Sequence, residues 1–360
     1  MSEHPTAAPP PVDSGTAAPT AGSAPPPGPV PAGKQQQGGL ARILSHPAGR
    51  DVGLVLALLL LVVVGLVTAG ERFGSVANLL TILRLASVIG VVAIGMTFVI
   101  TGGGIDLSVG AIVALSSVWS TTVATQLMAE DTHWTLIVVS ALAVGAGCGL
   151  VNGALIAYGR LAPFIATLAM FAAARGLAEI IAQRRTQIVT VDPFLDFFGA
   201  SVLGIPVLIV VWVLVCVLGW VLLNRTVFGR RTLAVGGNAE AARLAGIDVR
   251  RHTTLLYVFL GVLCGLAAIL LTVRTTTGSS THGQLYELDA IAAVVIGGTL
   301  LSGGRGTIVG TVFGVLIFTT LTNVFTLNNL DISTQAVAKG AIIVAAVLLQ
   351  QRVARRGGGG

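Results

Sequence analysis

The sequence predicts an all-α, polytopic integral membrane protein of about ten transmembrane helices, some of them broken or re-entrant. Three observations carry this. Of 360 residues 54% are hydrophobic and only 10% charged, with a mean hydropathy of +0.89. A soluble chain needs about 25% charged residues to cover its water-facing surface. Apolar runs of about 20 residues recur from residue 52 onward, the length that crosses a ~30 Å hydrocarbon core at 1.5 Å per residue. The basic residues gather in particular connections instead of spreading along the chain.

Residues 1–45 form the first segment. Ten of the fourteen prolines precede residue 32, large apolar side chains are almost absent before residue 40, and such a stretch buries too little surface to offset its ordering entropy. A disordered tail is expected there. It is no signal peptide, because the first apolar run comes too late and is too long. The transmembrane domain follows over 46–351, with expected spans at 52–70, 79–101, 107–127, 136–157, 163–183, 205–223, 255–274, 288–302, 307–328 and 333–350. The eighth is short, and the second and third could be one broken unit. Residues 352–360 are a basic, glycine-rich tail.

Lys and Arg near helix ends set orientation. Lys34, Arg42 and Arg50 precede the first span. The 224–253 loop holds Arg225, Arg230, Arg231, Arg243, Arg250 and Arg251, six spans later. An even number of spans puts both on the cytoplasmic side, and four more return Arg352, Arg355 and Arg356 there. Both termini are thus expected in the cytoplasm, with Arg72, Arg184, Arg185 and Arg274 as outer exceptions. Membrane topology accounts for the net charge of +6 without nucleic-acid binding.

Several chemistries are excluded. Gly298-Thr-Leu-Leu-Ser-Gly303 starts like a phosphate-binding loop but continues Gly304-Arg305 and lacks its Lys-Ser/Thr. No dinucleotide fingerprint, zinc motif or nucleophile elbow is present. Cys148, Cys216 and Cys264 fall within apolar runs and suggest neither a disulfide framework nor a metal site. No catalytic residue, bound cofactor or metal is expected, and if ATP drives transport another chain must hydrolyse it.

The remaining signals are polar groups at membrane depth. Asp106, after Gly102-Gly-Gly104, is costly in lipid and must face protein or a wet cavity. Asp106 or Ser108 reads either as the cap of the next helix or as part of a pathway for polar solutes. Gly145, Gly149 and Gly153 share one face at intervals of four, a close-packing device repeated by Gly261 with Gly265 and Gly310 with Gly314. Asn152, beside that face, is an interhelical hydrogen bond or a pathway group. Glu287 and Asp289 open a helix, where they favour its dipole. Lys339, Arg84 and Arg175 each call for an acidic partner that the sequence does not name.

In the 224–253 loop, Asn238 is a good N-cap, Ala239 to Ala245 favour helix, and Gly246 suits the left-handed residue past its end. A two-turn helix with an apolar side of Ala241, Leu244 and Ala245, flanked by Glu240 and Arg243, is expected. Such a helix docks in a partner's groove or lies on lipid headgroups.

Taken together, Gly95-Met-Thr, Gly103-Gly-Ile-Asp-Leu-Ser-Val-Gly110, Gly149-Leu-Val-Asn-Gly153, Pro163-Phe-Ile-Ala-Thr-Leu168, Arg175-Gly-Leu-Ala178, Thr226-Val-Phe-Gly-Arg230, Gly236-Gly-Asn-Ala-Glu-Ala-Ala-Arg-Leu-Ala-Gly-Ile247 and Tyr286-Glu-Leu-Asp-Ala-Ile-Ala-Ala-Val-Val-Ile-Gly-Gly298 resemble the permease subunit of bacterial ABC-type sugar importers of the ribose, xylose and galactose class. The resemblance implies a cytoplasmic-membrane subunit that pairs with a second permease subunit, like or unlike. It also implies a separate cytoplasmic ATPase that uses ATP and Mg, and an extracytoplasmic solute-binding protein. It makes Gly236, Gly237, Asn238, Glu240, Ala241, Ala242, Arg243, Leu244 and Gly246 the contact with the ATPase. Asp106, Ser108, Asn152, Phe164, Glu287 and Asp289 become candidate pathway residues. Leu285, where glycine is common, Leu300 and Val324 depart from the pattern. A branched-chain amino acid permease and an ion-coupled secondary transporter using Asp106 and Asp289 are the alternatives.

Overall fold

The computed structural model describes residues 47–331, 333–342 and 344. The tails expected at 1–45 and 352–360, and most of the tenth span beyond 342, lie outside the described residues. The fold is almost wholly helical, as expected.

The helices are α1 (Pro47–Ala69), α2 (Glu71–Gly74), α3 (Val76–Thr101), α4 (Val109–Ser120), α5 (Val123–Asp131), α6 (Thr135–Ala157), α7 (Pro163–Ala182), α8 (Asp192–Gly199), α9 (Val207–Arg225), α10 (Val227–Gly237), α11 (Ala239–Leu244), α12 (Val249–Thr275), α13 (Tyr286–Ile296) and α14 (Ile308–Leu327). Residues 333–342 are also helical; Asp331 opens this segment by accepting the Thr334 N–H at 2.9 Å. Two-residue strands pair antiparallel, β1 (Gln187–Ile188) with β4 (Thr277–Gly278) and β2 (Ser201–Val202) with β3 (Ile205–Pro206).

Among the described residues, seven helices are long and apolar enough to cross a membrane: α1, α3, α6, α7, α9, α12 and α14. Each falls on an expected span. Two expected spans are different in kind. The third is α4 followed by α5, bent by 54°. The bend has a local cause: the Thr121 hydroxyl turns back to the Ser117 carbonyl at 2.9 Å, while Thr122 caps α5 through the Thr125 N–H at 3.2 Å. The eighth is α13, 11 residues long, roughly 16 Å and so half a bilayer. It stops at Gly297, and Gly298 has φ +85°, which continues no right-handed helix.

Helix α12 is the axis of the bundle. Of its most apolar stretch 78% is buried, against 17% for α1, which therefore stands at the edge of the bundle. Glycine decides how closely α12 approaches α6. A β-carbon on Gly145 would overlap the Gly261 carbonyl, one on Gly149 the Tyr257 carbonyl, and one on Gly153 would stand 2.7 Å from Thr254 Cα. The expected glycine face is thus the α6–α12 contact, and Gly310 and Gly314 serve the same end against Gly297 and Ala293. Lipid supplies no hydrophobic drive between helices, so this close van der Waals packing carries the association.

Polar pairs pin the same helices. Asn78 and Asn323 exchange amide hydrogen bonds at 3.1 and 2.8 Å, joining α3 to α14. The hydroxyls of Thr97 and Thr311 meet at 2.8 Å, and those of Ser117 on α4 and Thr272 on α12 at 3.0 Å. Each such bond contributes about 0.6 kcal/mol, too little to assemble the bundle but enough to fix its register.

Candidate functional site

Two half-length helices begin at one point inside the bundle. Gly110, in the first turn of α4, lies ten residues from Ser120, roughly 15 Å from that end of the helix. At this depth the 276–285 connection comes in beside it: a β-carbon on Gly110 would overlap the Gly283 carbonyl oxygen and stand 2.6 Å from Glu287 Oε2. Glu287 is in the first turn of α13. Helix starts carry unpaired N–H groups and partial positive charge, so its carboxylate lies where that charge gathers. Glu287 Oε2 has no hydrogen-bond partner among the described residues.

The chain reaches α4 through the glycine break that the sequence indicates. Gly103 has φ +84°, and Tyr257 donates its hydroxyl to the Ile105 carbonyl at 3.3 Å. Asp106 follows, 1% exposed. Its Oδ1 accepts the Ser108 N–H at 2.7 Å and the Ser108 hydroxyl at 2.5 Å. Asn152 Nδ2 donates to Ser108 Oγ at 2.9 Å and to Asp106 Oδ2 at 3.3 Å. Ser108 occupies the N-cap position, yet its side chain makes no capping bond. Asp106 instead closes a turn just before the helix, and Asn152 ties that turn to α6.

The incoming connection is held from three sides. Pairing of β4 with β1 fixes its start. Arg175 on α7 donates Nη1 to the Ser280 carbonyl and, at 2.9 Å, to that of His282. His282 Nδ1 meets Ser117 Oγ at 2.8 Å. Arg175 Nη1 thus donates to backbone carbonyls, while the carboxylates of Glu287 and Glu179 lie near enough for their charge to act on the guanidinium. Lys339 has an acidic partner in contact: its Nζ is 3.0 Å from Asp289 Oδ2. Phe164, 57% exposed at the start of α7, joins none of these contacts. Among the described residues no three His, Cys, Asp or Glu side chains gather to hold a metal ion.

Beside this same end of α3, where Gly236 meets Thr101, the chain enters the short helix α11. Asn238 caps it through the Ala241 N–H at 2.9 Å. Gly246, at φ +83°, ends it with Ile247 N–H bonded to the Ala242 carbonyl at 3.0 Å. Ala242 is its one buried residue; Ala241, Leu244 and Ala245 are exposed, Leu244 by 77%. The apolar side read from the sequence is thus uncovered, with Ala242 anchoring the helix beside it. Arg243 grips Glu240 through Nε at 3.1 Å and Nη2 at 2.5 Å. These bonds hold the Glu240 carboxyl below its usual range and raise the Arg243 guanidinium.

Sequence reasoning missed helix α10 and its neighbours. Gly236, at its end, meets the backbone of Thr101 and Gly304. The signal was present in the glycine run from 297 to 306, which along the chain reads as the end of a span and as failed nucleotide motifs, not as a packing site.

The comparisons now bear on this arrangement. A family model described as "Branched-chain amino acid transport system / permease component" matches residues 78–347. The ribose import permease RbsC of Bacillus subtilis is 44% identical over 305 residues, covering 84% of this chain and 93% of its own length. RbsC of Escherichia coli K12 is 37% identical, covering 83% and 92%.

The chain belongs to the ABC sugar-importer permeases. The fructose import permease FrcC of Rhizobium meliloti, 37% identical over 85% of this chain and 86% of its own length, is similar in the same way. No solved structure matches. The family description names amino acids, whereas the relatives at 36–44% identity are sugar permeases, which decides for the sugar branch. The matched region contains both the half-helix junction and α11, so this permease carries both within the shared domain of its family. Its place is the cell membrane.

Proposed function

We propose that this permease is the membrane subunit of an ATP-driven monosaccharide importer. ATP is hydrolysed on a separate cytoplasmic subunit that seats on α11, and sugar is delivered by an extracytoplasmic binding protein. Both termini then lie in the cytoplasm, as the placement of the basic residues requires. The chain itself performs no chemistry. The observation that carries the reading is the capped helix α11, whose apolar side of Ala241, Leu244 and Ala245 stands uncovered beside the Glu240–Arg243 pair. Short amphipathic helices of this form fit grooves on partner proteins.

The pathway passes the half-helix junction. Thr281, Gln284 and Leu285 are exposed there, next to Gly283 and Gly110 at about half the bilayer depth. Irregular backbone at that depth faces protein or water and not lipid, so a second permease subunit and the sugar path between the two cover it. Glu287 and Asp289 lie just behind this surface, with Asp106, Ser108 and Asn152 supporting α4 from inside. Carboxylates and amides in such positions suit the hydroxyls of a sugar.

The test is uptake in proteoliposomes containing the permease, its ATPase and its binding protein. ATP-dependent sugar uptake is expected, and Leu244→Arg should abolish both ATPase assembly and uptake. Sugar uptake driven by an ion gradient with no ATPase present would overturn the reading.

A further inference from the structure

Three stretches of bare backbone meet where the chain enters α11. One is the end of α3 with the turn after it, Thr101 to Gly103; the second is Gly236, in the last turn of α10 and two residues before the Asn238 cap; the third is Gly303 to Gly306. Gly304 donates its N–H to the Thr101 carbonyl at 2.9 Å. A β-carbon on Gly236 would overlap the Thr101 carbonyl oxygen and stand 2.7 Å from Gly304 N; one on Gly303 would stand 2.7 Å from Gly236 O and 2.9 Å from Gly103 Cα. One on Gly306 would overlap Thr101 Oγ1. The contacts of Gly236 with Thr101 and Gly304, and of Gly303 with Gly236 and Gly103, are backbone against backbone, so no rotamer change absorbs a displacement there; Gly306 packs on the Thr101 side chain.

Two of the stretches adjoin the helices of the half-helix junction, and the one at Gly236 adjoins α11. Three residues after Gly103 comes Asp106, the turn that starts α4. The stretch at 303–306 continues from α13, which carries Glu287 and Asp289. Gly236 is connected to α11 by Gly237 and Asn238 alone.

We propose that Gly236 is the positioning residue that makes α11, the end of α3 and the 303–306 turn one rigid knuckle, so that displacement of α11 re-aims the starts of α4 and α13 together. This rests on the proposed docking of α11 on the ATPase. A glycine is required because any side chain at 236 would drive the Thr101 carbonyl and Gly304 apart, turning a rigid link into a loose one.

The experiment uses the full complex in proteoliposomes and reads sugar moved per ATP hydrolysed. Gly236→Ala is expected to assemble and hydrolyse ATP while that ratio falls at least tenfold. Gly147→Ala, on the open face of α6 with nothing within 4 Å of its β-carbon, should keep the ratio. A normal ratio in Gly236→Ala overturns the proposal. If that variant fails to assemble, a second one decides: Thr101→Cys with Gly306→Cys, in a chain whose Cys148, Cys216 and Cys264 are alanine. A β-carbon at 306 stands 3.1 Å from Thr101 Cβ, within about half an ångström of disulfide spacing. A rigid knuckle keeps at least half of its uptake on oxidation; uptake lost on oxidation and restored by reductant overturns the proposal. Leu244→Arg separates the two readings. If it still assembles and transports, the docking of α11 has failed, whatever Gly236→Ala does.

Discussion

Lys339 Nζ stands 3.0 Å from Asp289 Oδ2 and 3.2 Å from Oδ1, tying the helical segment 333–342 to the half-length helix α13. The two side chains are 19% and 13% exposed. Removing one partner leaves the other charge uncompensated in a poorly solvated place, which costs about 3 kcal/mol. Lys339→Met should therefore lower the unfolding midpoint in detergent clearly, and Asp289→Leu added to it should restore most of the loss, since an apolar pair of similar volume is close to neutral. Equal losses in the single and double variants would show that the pair does not couple the two segments.

Leu285 adopts φ +65° as the residue before α13, where the family pattern commonly has glycine. A left-handed conformation costs a non-glycine residue about 1–2 kcal/mol, and at 44% exposure the leucine recovers little of this through burial. Leu285→Gly should raise the unfolding midpoint by the equivalent of about 1 kcal/mol. A lower midpoint would mean that Leu285 packs against a partner in the assembled complex or is held by contacts outside this chain.

Gly145 and Gly147 lie on opposite sides of α6. A β-carbon on Gly145 overlaps the Gly261 carbonyl, whereas Gly147 has nothing within 4 Å. Gly145→Ala should destabilise by about 1–3 kcal/mol through overpacking. Gly147→Ala should be neutral or stabilise by up to about 1 kcal/mol, because alanine is the better helix former. Thermal unfolding of both variants in one detergent checks the contrast, and matched midpoints would contradict the α6–α12 contact.

Glu240 titrates below the usual carboxylate range because Arg243 donates two hydrogen bonds to it and adds its charge. A depressed carboxyl contributes to the order of α11 above its unfolded value of about 4.3, and the contribution is lost as pH falls through the lower folded value. Carbon-13 titration of the Glu240 carboxyl should show that low midpoint, with Arg243→Gln moving it upward. The same midpoint in both proteins would remove the pair from the account of α11.

Much of this architecture was legible along the chain. Seven spans, the Asn238 cap, the Gly246 stop and the glycine face of α6 follow from hydropathy, capping chemistry and spacing, all of which act within about a turn or a helix length. Lys339 shows where that reading ends: a buried cation requires a partner, but Asp289 is 50 residues away and nothing local selects it. Arg175 shows the same boundary, because the Ser280 and His282 carbonyls that it holds and the Glu287 carboxylate that acts on it are all more than 100 residues away. The 288–302 run also read as a span; its break at Gly297 and Gly298 outweighed a hydropathy that continues through them.

The sequence by itself determined that this is a membrane protein, that seven of its stretches are long and apolar enough to cross a membrane, and that a short capped helix stands between α10 and α12. These are properties of solvent transfer and of local hydrogen bonding, and they need no knowledge of neighbours. Only the tertiary structure decided that α4 and α13 start from one point, that Asp106, Ser108 and Asn152 form one buried network, and that Gly236, Thr101 and Gly304 touch through bare backbone. Those are contacts between segments 44 to 203 residues apart, fixed by how closely glycine lets two backbones approach and by which buried polar groups can satisfy one another.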